Sequence, residues 1–237
     1  MRLDKYLSEM GCGTRSELKK NIKSGLVTVD GVVVKDPGTK VAENSEVTYR
    51  GETVTYEEYT YYMLNKPAGV ISASEDSREE TVVDLIDETK RKDLFPAGRL
   101  DRDTEGLLII TNDGELAHRL LSPKHHVDKK YFAILDGKAD DNDVEVFREG
   151  IVLPDGLACL PADLDILSVD TESETSRIEI TIREGKFHQI KRMFSAVGME
   201  VIYLKRLTMG PLSLDPDLAP GEYRRLTDDE ISVLKSV

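Results

Sequence analysis

The stretch Gly98-Arg99-Leu100-Asp101-Arg102-Asp103-Thr104-Glu105-Gly106 runs directly into Leu107-Leu108-Ile109-Ile110, and this junction decides how the chain is read. The four apolar residues show no alternation, as expected of a central strand covered on both faces. Asn112-Asp113-Gly114 breaks the run, and a helix is predicted over about 115–121. In front of the strand, two glycines bracket alternating charges on a loop that feeds a rigid element, a favourable mount for catalytic groups. Taken alone, these residues read first as a surface ion-pair turn, with a carboxylate pair for glycoside chemistry as an alternative.

Working outward, Tyr61-Tyr62-Met63-Leu64-Asn65 reads as a strand halted by Lys66-Pro67 and Gly69. Further strands are predicted over 131–135 and 177–183; in the second, Ile178, Ile180 and Ile182 alternate with Glu179, Thr181 and Arg183, so one face is buried. Ile190, Phe194 and Val197 form a helix stripe, reinforced by Met193 and closed by Gly198. Near the end, Thr227-x-x-Glu230 is a capping box and Leu226 with Ile231 a hydrophobic staple. Strands outnumber helices without alternating regularly with them. The fold class is therefore α+β, with a mixed, mostly antiparallel sheet, and not a doubly wound one.

The first forty residues read as a separate helix–helix–hairpin module. Leu3, Tyr6, Leu7 and Met10 fall on one helix face, and Gly11 is placed to end it. Thr14-x-x-Glu17 is a capping box opening a second helix over about 15–24, where Arg15, Lys19 and Lys23 form a stripe beside Leu18 and Ile22. Leu26-Val27-Thr28-Val29, an Asp30-Gly31 turn and Val32-Val33-Val34 give a hairpin. Residues 43–58 read as a last strand running into a linker, so the module is expected to span 1–58 and a larger domain 59–237.

Composition bounds the function. The chain has 237 residues, 39% apolar and 32% charged, enough to bury a core. No run approaches the roughly 20 apolar residues of a membrane span, which excludes such an anchor. Met1-Arg2-Leu3-Asp4-Lys5 lacks the apolar stretch of a signal peptide, so the expected compartment is the cytoplasm. Cys12 and Cys159 form neither a disulfide framework nor a zinc set, and His118, His125, His126 and His188 lack metal-ligand spacing, so no metal is expected. The net charge of −13 argues against unselective binding to a polyanion. Yet residues 1–40 carry eight basic against five acidic groups, a local +3 that leaves −16 for the remainder. The cationic helix face is compatible with simple solvation and with phosphate contact.

The motifs narrow this. Arg2-Leu3-Asp4-Lys5-Tyr6-Leu7, Thr14-Arg15-Ser16-Glu17 and Ile22-x-x-Gly25-Leu26-Val27-x-Val29-Asp30-Gly31 resemble the alpha-L (S4-like) RNA-binding module. That resemblance makes Arg15, Lys19, Lys20 and Lys23 the candidate RNA contacts, which position a backbone without specifying sequence. Leu64-Asn65-Lys66-Pro67-x-Gly69, Gly98-Arg99-Leu100-Asp101-x-Asp103-Thr104-x-Gly106-Leu107, Lys130-Tyr131, Gly185-x-x-His188-Gln189-Ile190-Lys191-Arg192-Met193 and Leu218-Ala219-Pro220-Gly221-Glu222-Tyr223 follow in order. Together they resemble the pseudouridine synthases. Ser122-Pro123-x-His125-His126, and lysine at 191, look most like the RsuA branch, which acts on small-subunit (16S) ribosomal RNA.

The resemblance implies isomerisation of a uridine in ribosomal RNA to pseudouridine, without cofactor or metal. The family's essential carboxylate maps onto Asp101, its ion-pair partner onto Lys191 and its active-site tyrosine onto Tyr131. Asp103 is read as an ordering partner for the loop that faces differently. Arg99 is the candidate to fill the space of a flipped base, and Leu204 an apolar wall. Lys130, Lys186 and Arg192 are further substrate-binding candidates along a cleft, with Lys129, Lys205 and Arg206 beside them. Whether Asp101 attacks covalently or abstracts a ribose proton stays open at this level. The same reaction on 23S RNA and a non-catalytic RNA-binding assembly factor are the alternatives. With no heptad or exposed apolar stripe, a monomer is expected.

Overall fold

The computed structural model describes residues 1–42, 44–88 and 91–237, so residue 43 of the strand-like segment 43–58 lies outside the described residues. The chain forms two compact units, Met1–Thr60 with Ile86–Leu94, and Tyr61–Leu85 with Phe95–Val237. Each is described by itself.

In the smaller unit the helices are α1 (Leu3–Glu9) and α2 (Arg15–Lys23), followed by β1 (Val27–Val29), β2 (Val32–Val33), β3 (Val47–Tyr49) and β4 (Glu52–Val54). The capping box at the start of α2 forms as its sequence requires: the Glu17 amide donates to the Thr14 hydroxyl and the Thr14 amide to the Glu17 carboxylate. The sheet order is β2-β1-β3-β4, all antiparallel. Asp30 and Gly31 both adopt positive φ, 51° and 75°, the twist a two-residue hairpin needs. Leu3, Tyr6, Leu7, Leu18, Ile22, Val27, Val41 and Val47 make one core. Arg91 joins the segment 86–94 to this unit by donating to the carbonyls of Glu57 and Glu58.

The larger unit contains β5 (Tyr61–Lys66), β6 (Phe95–Pro96), β7 (Glu105–Thr111), α3 (Gly114–Leu121), β8 (Lys129–Asp136), α4 (Asp141–Glu149), β9 (Asp163–Asp170), β10 (Thr175–Ile182), α5 (Gln189–Ala196), β11 (Glu200–Met209), β12 (Leu212–Ser213), β13 (Tyr223–Arg225) and α6 (Asp228–Lys235). The main path of the sheet is β13-β5-β7-β11-β8-β10-β9. β7 sits inside it and is buried from Gly106 to Thr111, as its unbroken apolar run predicts. Among the described pairs only β7 and β11 run parallel, so the sheet is mixed and mostly antiparallel. Tyr61, Met63, Leu107 and Ile109 meet Leu116, Ala117 and Leu120 of α3 and Leu234 of α6 in one apolar cluster. Leu226 and Ile231 join it, and the Thr227 capping box forms.

β11 escapes a reading of the sequence because two register shifts, between Val201 and Tyr203 and between Arg206 and Thr208, break its alternation. The pair of residues Lys205-Arg206 masks it further. Arg206 is 2% exposed and its Nε donates to the Leu107 carbonyl at 2.7 Å.

The parallel contact depends on one glycine. At Gly106, φ is +101° and a Cβ would lie 2.2 Å from the Arg206 carbonyl oxygen and 2.7 Å from its amide nitrogen. Backbone atoms cannot swing aside as a side chain can. Gly106→Ala is therefore expected to lower stability by roughly 3 kcal/mol or more. Gly114→Ala, where a Cβ meets nothing within 4 Å, should be neutral or slightly stabilising. Thermal denaturation of the two variants checks the contrast.

Candidate active site

The acidic loop between β6 and β7 is held from below by the segment that follows β5. Lys66 is fully buried, and its ammonium donates to the carbonyls of Pro67 at 3.0 Å, Arg102 at 3.2 Å and Thr104 at 2.9 Å. The Gly69 amide donates to the Arg102 carbonyl at 2.7 Å and Arg102 Nε returns a bond to the Gly69 carbonyl at 3.0 Å. Ser72 exchanges hydrogen bonds with the backbone of Leu100, accepting at 3.0 Å and donating at 2.8 Å. Asp101 accepts at its carbonyl from the Thr104 amide, closing the turn. The Lys66-Pro67-x-Gly69 motif, read in sequence as the end of a strand and as one block of the resemblance, is thus the cradle of the loop.

Above the loop lies a cleft lined by Arg99, Asp101, Tyr131, Lys186, Lys191 and Leu204, with Leu100, Thr104, Ile182, Gly185, His188, Gln189 and Ile190. Six of the eight catalytic and substrate-binding candidates therefore meet in one place. Tyr131 stands on β8 and is 7% exposed, with Ile180 and Arg206 its register partners on β10 and β11. Leu204, from β11, and Ile182, from β10, complete the apolar wall. Asp101 retains about a quarter of its side-chain surface in the open, 27%, so water and substrate can both reach it.

Lys191, in the first turns of α5, serves two carboxylates. Its Nζ lies 2.6 and 2.8 Å from the oxygens of Asp103 and 3.4 Å from Oδ2 of Asp101. The expectation that Asp103 faces differently is corrected: its carboxylate turns to the same ammonium and binds it more closely than Asp101 does. The hydrogen bond from Lys191 holds the Asp103 carboxyl below the usual carboxylate range. The arrangement leaves Asp101 near a fixed positive charge while its oxygens stay available. His188, which the sequence marked only as part of a motif, brings Nε2 to 3.6 Å from Asp101 Oδ1.

Two of the candidates, Lys130 and Arg192, do not join the cleft, and for Lys130 the reason is built into strands. Successive residues point to opposite faces. Tyr131 and Leu204 face the cleft, so Lys130 and Lys205 line a larger cavity, 530 Å³, on the other side, with Leu207, Thr208, Asp215 and Leu218. There Lys130 pairs with Glu179 at 2.9 Å. Arg192 turns away to Asp155 and to the Phe187 carbonyl. Lys129 and Arg206, expected along a cleft, are 5% and 2% exposed, inside the sheet's packing, and cannot serve as surface contacts. In the smaller unit Arg15, Lys19, Lys20 and Lys23 are all exposed on α2, opposite buried Leu18 and Ile22, and make no ion pair among the described residues.

Among the described residues no group of three His, Cys, Asp or Glu side chains is arranged to hold a metal ion, and no helix is long and apolar enough to cross a membrane. Neither Cys12 nor Cys159 is joined in a disulfide.

The cleft thus sets a carboxylate beside basic side chains and an apolar wall on a mixed sheet. Comparison with known proteins narrows this to a family. Residues 60–196 match the model of the RNA pseudouridylate synthases and residues 1–47 that of the S4 domain. The chain is 52% identical over 236 residues to "Uncharacterized RNA pseudouridine synthase YtzG" of Bacillus subtilis (strain 168), covering 99% of this chain and 98% of that one. It is 44% identical over 233 residues to "Ribosomal small subunit pseudouridine synthase A" of Vibrio cholerae, covering 98% of each. A solved structure described as "Crystal structure of pseudouridylate synthase" superposes with a TM-score of 0.69 at 38% identity over 99% of both chains. The chain belongs to the RNA pseudouridylate synthase family and carries an S4 domain in front of the catalytic one.

The buried lysines give the fold a measurable pH signature. Burial pushes the ammonium groups of Lys66 and Lys129 down to about 8, below the ordinary lysine value. The unfolded chain then holds these protons more tightly than the folded one, so stability rises as pH climbs from about 8 toward the unfolded value. The expected gain is about 1 kcal/mol per pH unit from each lysine. Tyr56 and Tyr203, raised to about 12, act in the opposite sense, but only above about pH 10. Urea midpoints at pH 8 and pH 9.5 should therefore rise for this protein and stay level for a Lys66→Met, Lys129→Met double variant.

Proposed function

We propose that this protein isomerises one uridine of small-subunit (16S) ribosomal RNA to pseudouridine, in the cytoplasm and as a monomer, with Asp101 as the essential carboxylate. The observation that carries the reading is the convergence of Asp101, Lys191 and Tyr131 in one cleft, with Lys191 Nζ 3.4 Å from the Asp101 carboxylate. The family match supports the reaction. The small subunit is supported by relatives of 38–44% identity that are named for it.

The chemistry follows from the product. The N1–C1′ bond of the uridine breaks and a C5–C1′ bond forms; the proton on C5 leaves and N1 gains one. Nothing is oxidised or reduced, so the bond exchange itself needs no electron acceptor or donor. Once the base departs, C1′ is short of electrons, and Asp101 meets that demand either as a nucleophile at C1′ or as a base on the ribose. Both roles need a carboxylate whose oxygens can reach the ribose, and the Lys191 ammonium lies 3.4 Å from one of them. The freed uracil must rotate without escaping. Tyr131, Leu204 and Ile182 offer it flat and apolar surfaces on which to turn.

A uridine in folded RNA is stacked, so its C1′ comes within reach only when the nucleotide is everted, at a cost of a few kcal/mol. Arg99 is exposed at the cleft and is the residue suited to occupy the vacated space or to hold the displaced phosphate. Arg15, Lys19, Lys20 and Lys23 add backbone contacts that do not discriminate sequence.

Asp101→Asn is expected to fold as the parent does and to lose on the order of 10⁴-fold or more in turnover. Pseudouridine-specific chemical sequencing of 16S and 23S RNA from a deletion strain, complemented with either form, is the test. A signal lost from 23S RNA would move the substrate to the large subunit, and no lost signal in either would sink the enzyme reading. Lys191→Met should slow single-turnover conversion by on the order of 10²-fold, and an unchanged rate would remove Lys191 from the mechanism.

A further inference from the structure

We propose that Phe187, stacked on His188 at the mouth of the cleft, is a platform for an unpaired nucleobase adjacent to the target uridine. The proposal deepens the RNA reading above and rests on it.

Phe187 is 73% exposed. A single exposed apolar side chain is common and by itself means little. This one differs in how it is held. The ring centroids of Phe187 and His188 are 3.8 Å apart with planes inclined by 18°, a parallel stack. No second ring covers the outer face of Phe187 among the described residues. His188 reaches this position with φ at +49°, a left-handed conformation that non-glycine residues rarely adopt. Its far edge lies 3.6 Å from Asp101 Oδ1. The stack therefore starts at the reacting carboxylate and ends in an open aromatic face.

The turn that presents the ring is fixed by buried polar groups, not left to move. Gln189 is 4% exposed; its Oε1 accepts from the Lys186 amide at 3.0 Å and its Nε2 donates to Glu184 at 2.9 Å. Glu184 Oε1 also accepts from the Leu160 amide at 2.9 Å. The Arg192 guanidinium, tied to Asp155, donates to the carbonyl of Phe187 itself. This gives Arg192 a part the sequence did not suggest. It positions the ring and does not face the cleft.

A rigid, outward aromatic plane beside a cleft is suited to one ligand chemistry above others. When the target uridine leaves its stack, its neighbour loses a stacking partner, and an aromatic side chain at that point replaces it. Base-on-aromatic stacking tolerates any base, because every base has a π face. The occupant is thus a nucleobase flanking the everted uridine, with the exposed Arg99 beside it matched to its phosphates.

The chain contains no Trp, which makes the test direct. Phe187→Ala should raise KM for ribosomal RNA by roughly tenfold to a hundredfold, with kcat at saturating RNA changed less than threefold, and Phe187→Trp should bring KM back to near the parent value. In a Phe187→Trp, Asp101→Asn protein, the only indole should be quenched on adding an RNA fragment that bears the target uridine. The same fragment with abasic residues on both sides of that uridine should bind without the quench. An unchanged KM for Phe187→Ala, or quenching that ignores the abasic substitutions, overturns the platform while parent turnover leaves the reaction standing. A parent without turnover overturns the reaction instead, and the indole quench still decides the platform.

Discussion

Lys66 directs all three of its ammonium protons at backbone carbonyls, those of Pro67, Arg102 and Thr104, in a place from which water is excluded. A charge so buried is costly unless every donor is met. Here every donor is met, two of the three by the loop that carries Asp101. Removing the amine would take its donor from the Thr104 carbonyl and leave the Arg102 carbonyl with the Gly69 amide alone, and a buried polar group left unpaired costs about 1–3 kcal/mol. The loop cannot change shape without breaking these bonds, so the orientation of Asp101 follows from a residue that never touches the cleft.

The same constraint is completed from above by the sheet. β7 and β11 run parallel, and at Gly106 their backbones approach too closely for any side chain. Tyr203 reinforces the pairing by donating to Glu105 at 2.7 Å. The close approach fixes β11 beside the acidic loop, and β8 beside β11. Leu204 and Tyr131 are thereby set against Asp101 from two further strands. The lining of the cleft is drawn from four separate segments, the acidic loop, β8, β11 and α5, each held by the sheet or by hydrogen bonds beneath it.

Charge in the cleft is arranged by sharing. Lys191 binds Asp103 tightly and Asp101 more loosely, so the ammonium is held in place by one carboxylate and lends its field to the other. The overall charge of −13 restricts attraction to the faces where cations gather, α2 in the smaller unit and the rim of the cleft in the larger.

Much of this was legible in the residues themselves. The run Leu107-Leu108-Ile109-Ile110 announces a strand buried on both faces, Thr14-x-x-Glu17 and Thr227-x-x-Glu230 announce helix starts, and Asp30-Gly31 a hairpin, because each depends on local sterics and hydrogen bonding. Asp101, Tyr131 and Lys191 could be named from the order of their motifs. What needed the tertiary structure was everything that depends on facing. Lys130 and Tyr131 are neighbours in sequence and open on opposite cavities; Arg206 looks like a surface cation and is buried; Asp103 reads as a loop-ordering partner that faces away and instead holds Lys191. β11 was hidden because its two bulges erase the alternation by which a strand is recognised. A sequence records which groups exist and how they alternate along one strand. Which strand lies next to which, and so which carboxylate meets which cation, is settled only when distant segments pack together.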